Sequence, residues 1–262
     1  MFQANEYLQF TQAVDALLPI RLSDYKQRQM ERRIRDLARK HQAADLHIFA
    51  GILRADVKLL REFEQHITIN VSEMYRNPDA YSYLTKTLLP QMLTVGRGLR
   101  IWSAGCSYGA EPYTLAMLAH QAAPHLKHTI HATDIDREIL ARAKSGKGFS
   151  QEDVRSLPAE LRNEYLVRDG DTYAVSEKLL RYIRFERHDL LRDQMNQTFD
   201  MVVCRNVVIY FTDEAKERLY HLFTASLRPG GYLFIGGTET INRAALFGLR
   251  YVAPCFYQKA AS

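Results

Sequence analysis

Residues 99–113, LRIWSAGCSYGAEPY, decide how this chain is read. A short apolar run (99–105) has the length and composition of a buried strand. It ends in a turn holding Gly105 and Gly109, and the stretch from about Glu111 to Ala122 follows with helical spacing. Glycines in such a turn let backbone approach a ligand closely, and the helix start presents free N–H groups. The same alternation continues downstream: HTIHATDID (128–136), a helix to about Lys144, YIRFERHDL (182–190), FDMVVCRN (199–206), a helix from about Asp213 to Leu227, GGYLFIGG (230–237), then short strands near Tyr251 and Phe256. Strands alternating with helices predict an α/β fold, a mostly parallel sheet with helices on both faces and a ligand crevice beyond the carboxyl ends of the strands. The segment 146–180 interrupts the alternation and turns at Arg168 to Asp171, which predicts an inserted helix and β-hairpin.

Upstream the texture differs. From residue 1 to Asn77 there is one glycine and one proline, and apolar positions recur at three and four spacing, so residues 1–76 are expected to form an all-helical domain. Pro78 and Pro90 mark 77–97 as a linker, leaving 98–262 for the α/β domain. Ser23 and Asp24 offer N-cap chemistry for a helix running to about His41, with Met30, Ile34 and Leu37 as its apolar stripe. Arg28, Arg32, Arg35 and Arg39 form a stripe nearly opposite. The whole chain of 262 residues carries +5, and between Lys26 and Lys40 seven basic residues stand against Glu31 and Asp36, so the basic character sits in one segment. That favours an acidic partner. A nucleic-acid surface is not expected, because exposed aromatics do not interleave these arginines.

Composition excludes other classes. With 47% hydrophobic and 25% charged residues the chain has ordinary globular balance. No apolar run reaches the roughly 18 to 20 residues of a membrane span, and MFQANEYLQF lacks a signal-peptide pattern, so a cytoplasmic protein without membrane insertion is expected. Cys106, Cys204 and Cys255 form no close pair, and Cys106 and Cys204 lack a neighbouring histidine, so packing is their expected role. The histidines around the second strand (His120, His125, His128, His131) follow no ligand spacing; no metal is expected, and they read as solvated.

The glycine turn matches neither GxGxxG nor GxxxxGK[ST], which argues against NAD and nucleoside triphosphates. After the second strand, ATDID (132–136) places Asp134 where a carboxylate can accept both hydroxyls of a ribose. S-adenosylmethionine has that ribose, an ammonium suited to Glu111, and no phosphate. Either carboxylate alone reads as helix-terminus chemistry. Two at the ends of successive strands favour the cofactor.

Five ordered stretches, INVSEMYRN (69–77), SAGCSYGAEPYTLAM (103–117), ATDID (132–136), CRNVVIYF (204–211) and LRPGGYLFIGGTE (227–239), resemble the bacterial chemotaxis receptor methyltransferases (CheR) along essentially the whole chain. The resemblance implies an N-terminal helical domain, a Rossmann-like methyltransferase domain with a small β subdomain, and S-adenosylmethionine-dependent methylation of glutamates on the cytoplasmic helices of chemoreceptors, leaving S-adenosylhomocysteine. Arg76 and Tyr210 fall on catalytic positions. Asn70, Ser72, Arg76, Gly105, Glu111, Asp134, Asp189, Leu190, Asn206 and Val207 fall on cofactor positions, Asp189 in the adenine region, and Arg28, Arg32, Arg35 and Arg39 are expected to dock substrate. Where the family usually reads STGEEPY, Tyr108 and Ala110 stand here for its Thr and first Glu, and the amine contact falls to Glu111. The compact YLVRDGDTYAV hairpin (165–175), with Gly170 between Asp169 and Asp171, is expected to work without a receptor pentapeptide tether, in a monomer. The competing readings are a methyltransferase acting on RNA or a small molecule, and a non-catalytic S-adenosylmethionine-binding module.

Overall fold

The computed structural model describes residues 2–261 apart from Pro19 and Ile69, and side chains from Asn5 onward. Met1 and Ile69, which open two of the stretches quoted above, lie outside them. The chain divides into two compact units, Met1–Ile69 with Tyr210–Glu217, and Asn70–Ile209 with Arg218–Ser262.

The first unit is helical: α1 (Phe2–Val14), α2 (Gln27–Lys40), α3 (Leu46–Ala55) and α4 (Val57–Ile67). Phe10, Phe49 and Phe63, each at most 2% exposed, form its aromatic centre, with Phe10 and Phe49 stacked and Phe63 edge-on to both. Met30, Ile34 and Leu37 are buried as the stripe required. The start of α2 differs from expectation: Ser23 and Asp24 sit in a 3-10 turn (Leu22–Asp24), and Lys26 occupies the N-cap without a side-chain bond. Asp45 and Asp56 supply true caps, accepting from Ile48 N, and from Lys58 N and Leu59 N.

The second unit begins earlier than the prolines suggested. Residues 78–93, read as a linker, are α5 (Pro78–Tyr83), a π-helical turn (Leu84–Leu88) and α6 (Leu89–Leu93). Pro78 starts a helix, where its missing N–H costs nothing, and Tyr81, Leu84, Leu88, Leu89 and Met92 are buried in the α/β core. Residues 70–76 likewise group with this unit and not with the helical one.

Then come β1 (Arg100–Ala104), α7 (Ala110–Ala122), β2 (Thr129–Asp134), α8 (Arg137–Ser145), α9 (Ala159–Tyr165), the hairpin β3 (Leu166–Asp169) and β4 (Thr172–Val175), α10 (Glu177–Leu180), β5 (Ile183–Arg187), β6 (Phe199–Cys204), α11 (Asp213–Ser226), β7 (Leu227–Ile235), β8 (Leu249–Ala253) and β9 (Phe256–Lys259). Seven strands pair in the order β5-β2-β1-β6-β7-β9-β8; β5 through β7 are parallel, and β9 and β8 are antiparallel. The mixed sheet is the expected α/β class. Every residue of β6, FDMVVC, is buried, including Asp200, whose carboxylate takes Arg97, Arg228 and the Arg100 amide at 2.6 to 3.1 Å. A carboxylate can sit there because its partners surround it.

Two histidines read as solvated are structural. His128, 2% exposed, bonds Leu99 N at 3.1 Å and Ala123 O at 2.9 Å, and His131 is 5% exposed within the sheet. No cluster of three possible metal ligands occurs among the described residues, nor a helix long and apolar enough to cross a membrane.

Candidate active site

The carboxyl ends of β1, β2, β5 and β6 bring most of the predicted residues of the second unit together. At the tip of β1, Gly105 takes a positive φ of 82°, and a Cβ there would lie 2.6 Å from a methyl of Val207, so the turn after β6 closes directly onto the glycine turn. Gly105 N and Cys106 N both donate to Thr133 O.

At the tip of β2 the two aspartates separate by role. Asp136 caps α8, accepting from Glu138 N and Ile139 N. Asp134 caps nothing: it accepts from Ser107 N at 2.8 Å and from Asp136 N at 3.1 Å, two amides that fix its plane at the strand end. Burial pushes its carboxyl up, opposed by those amides. Each oxygen keeps capacity for another donor. Asp189 at the end of β5 accepts from Leu191 N at 2.9 Å, which orders the turn carrying Leu190.

Glu111 lies in the first turn of α7, 8% exposed, with its Oε1 accepting from Ser103 Oγ at 2.7 Å. Burial pushes its carboxyl up; Arg205, 4.0 Å away, the Ser103 hydroxyl and Arg76 oppose that. A buried carboxylate partly compensated by its neighbours suits a ligand ammonium.

Residues 70–77 run beside this crevice and are held at nearly every position. Asn70 donates to Asp136 at 2.9 Å; the Tyr108 hydroxyl meets both backbone groups of Ser72; Glu73 accepts from Ser156 and Arg155; Met74 N donates to Asp153 O; Tyr75 N donates to Thr114 Oγ1. Arg205 closes the far end, donating to Arg76 O at 2.7 Å and Asn77 Oδ1 at 2.6 Å while its guanidinium lies over Tyr81 and Phe234. Fixing this backbone leaves the Arg76 side chain half-buried, with no hydrogen bond to any described residue. The CRNVVIYF stretch pointed to Asn206 and passed over Arg205. The missed signal was an arginine ending an almost entirely apolar strand, which burial obliges to find acceptors.

Cys106 and Cys204 are buried and burial pushes both thiols well up, which suits a packing role. Tyr210 belongs with the helical unit, where its carbonyl accepts from Lys26 N at 2.9 Å. On α2, Arg35 is engaged by Glu6 and Glu31, each at 2.9 Å, and Arg39 by Asp36, whereas Arg28 and Arg32 are exposed without an ion pair among the described residues. The four arginines line a cleft of about 490 Å³ whose other wall is Ala43 to Leu46. The expected stripe exists, but only two of its charges are uncommitted.

A carboxylate at the end of β2, another in the first turn of the helix that follows β1, and a glycine turn without phosphate chemistry fit S-adenosylmethionine. Residues 5–68 match the all-alpha domain of CheR methyltransferases and residues 70–249 match their SAM-binding domain. The chain belongs to the CheR methyltransferase family. It is 43% identical over 256 residues to a chemotaxis protein methyltransferase of Listeria monocytogenes, covering 97% of each chain. It is 30% identical to one of Borreliella burgdorferi, covering 92% of this chain and 89% of that one. S-adenosylmethionine-dependent methylation in chemotaxis is the family's reaction, and S-adenosylmethionine is the cofactor of this chain.

Proposed function

We propose that this CheR methyltransferase is a protein-glutamate O-methyltransferase acting on the cytoplasmic helices of chemoreceptors. The observation that supports the reading most is Arg76, a half-buried guanidinium with no hydrogen-bond partner among the described residues, on backbone that Arg205 holds at 2.7 Å. A guanidinium carried on fixed backbone and free of hydrogen bonds is suited to grip a carboxylate.

Asp134 would hold the ribose hydroxyls, Glu111 the ammonium, the Asp189–Leu190 turn the adenine, and Asn70, Ser72, Gly105, Asn206 and Val207 would line the remainder. Bound there, S-adenosylmethionine supplies an activated methyl group on a sulfonium. A glutamate with an ordinary pKa near 4.3 is already an anion, so the chain need not provide a general base. Its task is to hold the acceptor oxygen in line and exclude water. Arg76 would orient the carboxylate, and Tyr210, by the motif it occupies, would donate to one of its oxygens. Because opposite charges cancel as the methyl moves, a site of low polarity favours the transition state over water.

Receptor docking is assigned to the basic face of α2, with Arg28 and Arg32 as its available charges. Radiolabelled methyl transfer to receptor-containing membranes tests the reading. Base-labile label on receptor carboxylates is expected, and label on RNA instead, or no transfer despite cofactor binding, would overturn it.

A further inference from the structure

The turn after β6 holds a left-handed residue that meets a carboxylate from the loop after β7. Asn206 has φ of 61°, in the left-handed region, and this places Val207 against Gly105. Asparagine tolerates that region better than most residues, but tolerance alone does not select it. A contact that can select it comes from the loop after the neighbouring strand, β7.

Glu239 is 9% exposed and reaches back beneath the turn. Its Oε2 accepts from Asn206 N at 3.2 Å and from Gly236 N at 2.5 Å, while Glu239 N donates to Gly236 O at 3.0 Å. The carboxylate is therefore the acceptor for the main-chain N–H of the left-handed residue. Gly236 makes room for it: a Cβ there would sit 2.6 Å from Glu239 Oε2 and 3.0 Å from Asn206 N. Burial pushes the Glu239 carboxyl up, and the Gly236, Asn206 and Ile209 amides and Arg205 oppose that. The second oxygen, Oε1, has no hydrogen-bond partner among the described residues, so Oε2 carries the contacts to Asn206 N and Gly236 N.

We propose that Glu239 is the positioning residue of the cofactor site: by accepting from Asn206 N it holds the Asn206–Val207 turn in the conformation that meets Gly105. The proposal rests on the assignment of Asn206 and Val207 to the cofactor. An acceptor oxygen, and not the charge, is what the geometry asks for, so Glu239→Gln keeps the function if its amide oxygen takes the Oε2 place. Glu239→Ala leaves Asn206 N without a partner, and the turn relaxes toward ordinary φ.

Calorimetry with S-adenosylhomocysteine on the full chain, beside steady-state kinetics on receptor membranes, tests this. Glu239→Ala is expected to weaken binding about tenfold and to raise the KM for S-adenosylmethionine while the KM for receptor stays unchanged. Glu239→Gln should stay within about threefold of wild type. Wild-type affinity in folded Glu239→Ala overturns the proposal, as does a Gln variant that loses as much as Ala. If Glu239→Ala does not fold, the Gln variant alone decides by the same threshold. Failure of the wild-type protein to bind S-adenosylhomocysteine would sink the cofactor assignment itself, a result distinct from these.

Discussion

The hydroxyl of Tyr108 accepts from Ser72 N at 3.2 Å, donates to Ser72 O, and lies 2.9 Å from the Asp153 carboxylate. One side chain in the glycine turn thus clamps the segment bearing Arg76 to the inserted region 146–180. Arg142 lies over its ring at 4.3 Å. Where the resembled motif STGEEPY has a Thr, the longer Tyr108 makes this clamp. Tyr108→Phe retains the ring and its cation contact but strands both Ser72 backbone groups. A stability loss of about 1 to 3 kcal/mol is expected, with a lower kcat as Arg76 loses its register. Chemical denaturation and single-turnover methyl transfer measure the two effects, and a Phe variant indistinguishable from wild type would show the clamp to be idle.

The distinct bonding of Asp134 and Asp136 makes them a matched test. Asp134→Ala removes the proposed ribose acceptor and is expected to weaken S-adenosylhomocysteine binding by about 2 kcal/mol or more. Asp136→Ala removes a helix cap and the Asn70 contact, so it should lower stability by roughly 1 kcal/mol with a smaller effect on affinity. Calorimetry that ranks them the other way would reassign the ribose.

Arg76→Ala removes the cation offered to the acceptor, and Tyr210→Phe removes the hydroxyl. Each is expected to reduce methyl transfer about 100-fold or more while the protein stays folded, since the Arg76 side chain bonds nothing that holds the segment: Arg205 takes its carbonyl, which alanine retains. Full activity in either variant removes that residue from the mechanism.

Much of this was legible in the sequence, and for identifiable reasons. FDMVVC and LRIWSA read as strands because buried parallel strands are short continuous apolar runs. ATDID announced a carboxylate at a strand end. What escaped were features that depend on partners distant in sequence. Pro78 and Pro90 looked like punctuation, yet one begins a helix and the other follows a π turn that absorbs the break. His128 has no local signature, because its two bonds go to the edges of neighbouring segments. Arg35 and Arg32 are indistinguishable along the helix, and only the fold brings Glu6 to one of them.

That difference redirects the docking experiment. Reversing Arg28 and Arg32 to Glu should raise the apparent KM for receptor by about tenfold at low salt, an effect that fades as salt screens the exposed charges. Cofactor affinity should not change. Arg35→Glu would instead set a third carboxylate beside Glu6 and Glu31, so its expected signature is lost stability, read by thermal unfolding. An Arg28, Arg32 double reversal that methylates receptor normally at low salt would rule out docking through α2.

The hairpin sharpens the remaining question of how receptor is found. One edge of β4 is bridged, Tyr173 pairing with Phe149, while β3 has only β4 beside it among the described strands. Val167, Arg168 and Asp169 on that open edge are exposed, so backbone is available for an added strand. Against this stand the carboxylates of Asp169 and Asp171 flanking the tight turn at Gly170, which repel an acidic chain end. The proposal of pentapeptide-independent recognition therefore rests on charge and not on absence of an edge. Titrating the protein with a receptor C-terminal pentapeptide should give no binding below about millimolar concentration, weaker than about −4 kcal/mol. Neutralising Asp169 and Asp171 to Asn is expected to strengthen whatever weak binding the open edge permits. Micromolar affinity in the wild-type chain would show that β3 takes a peptide strand despite its charges.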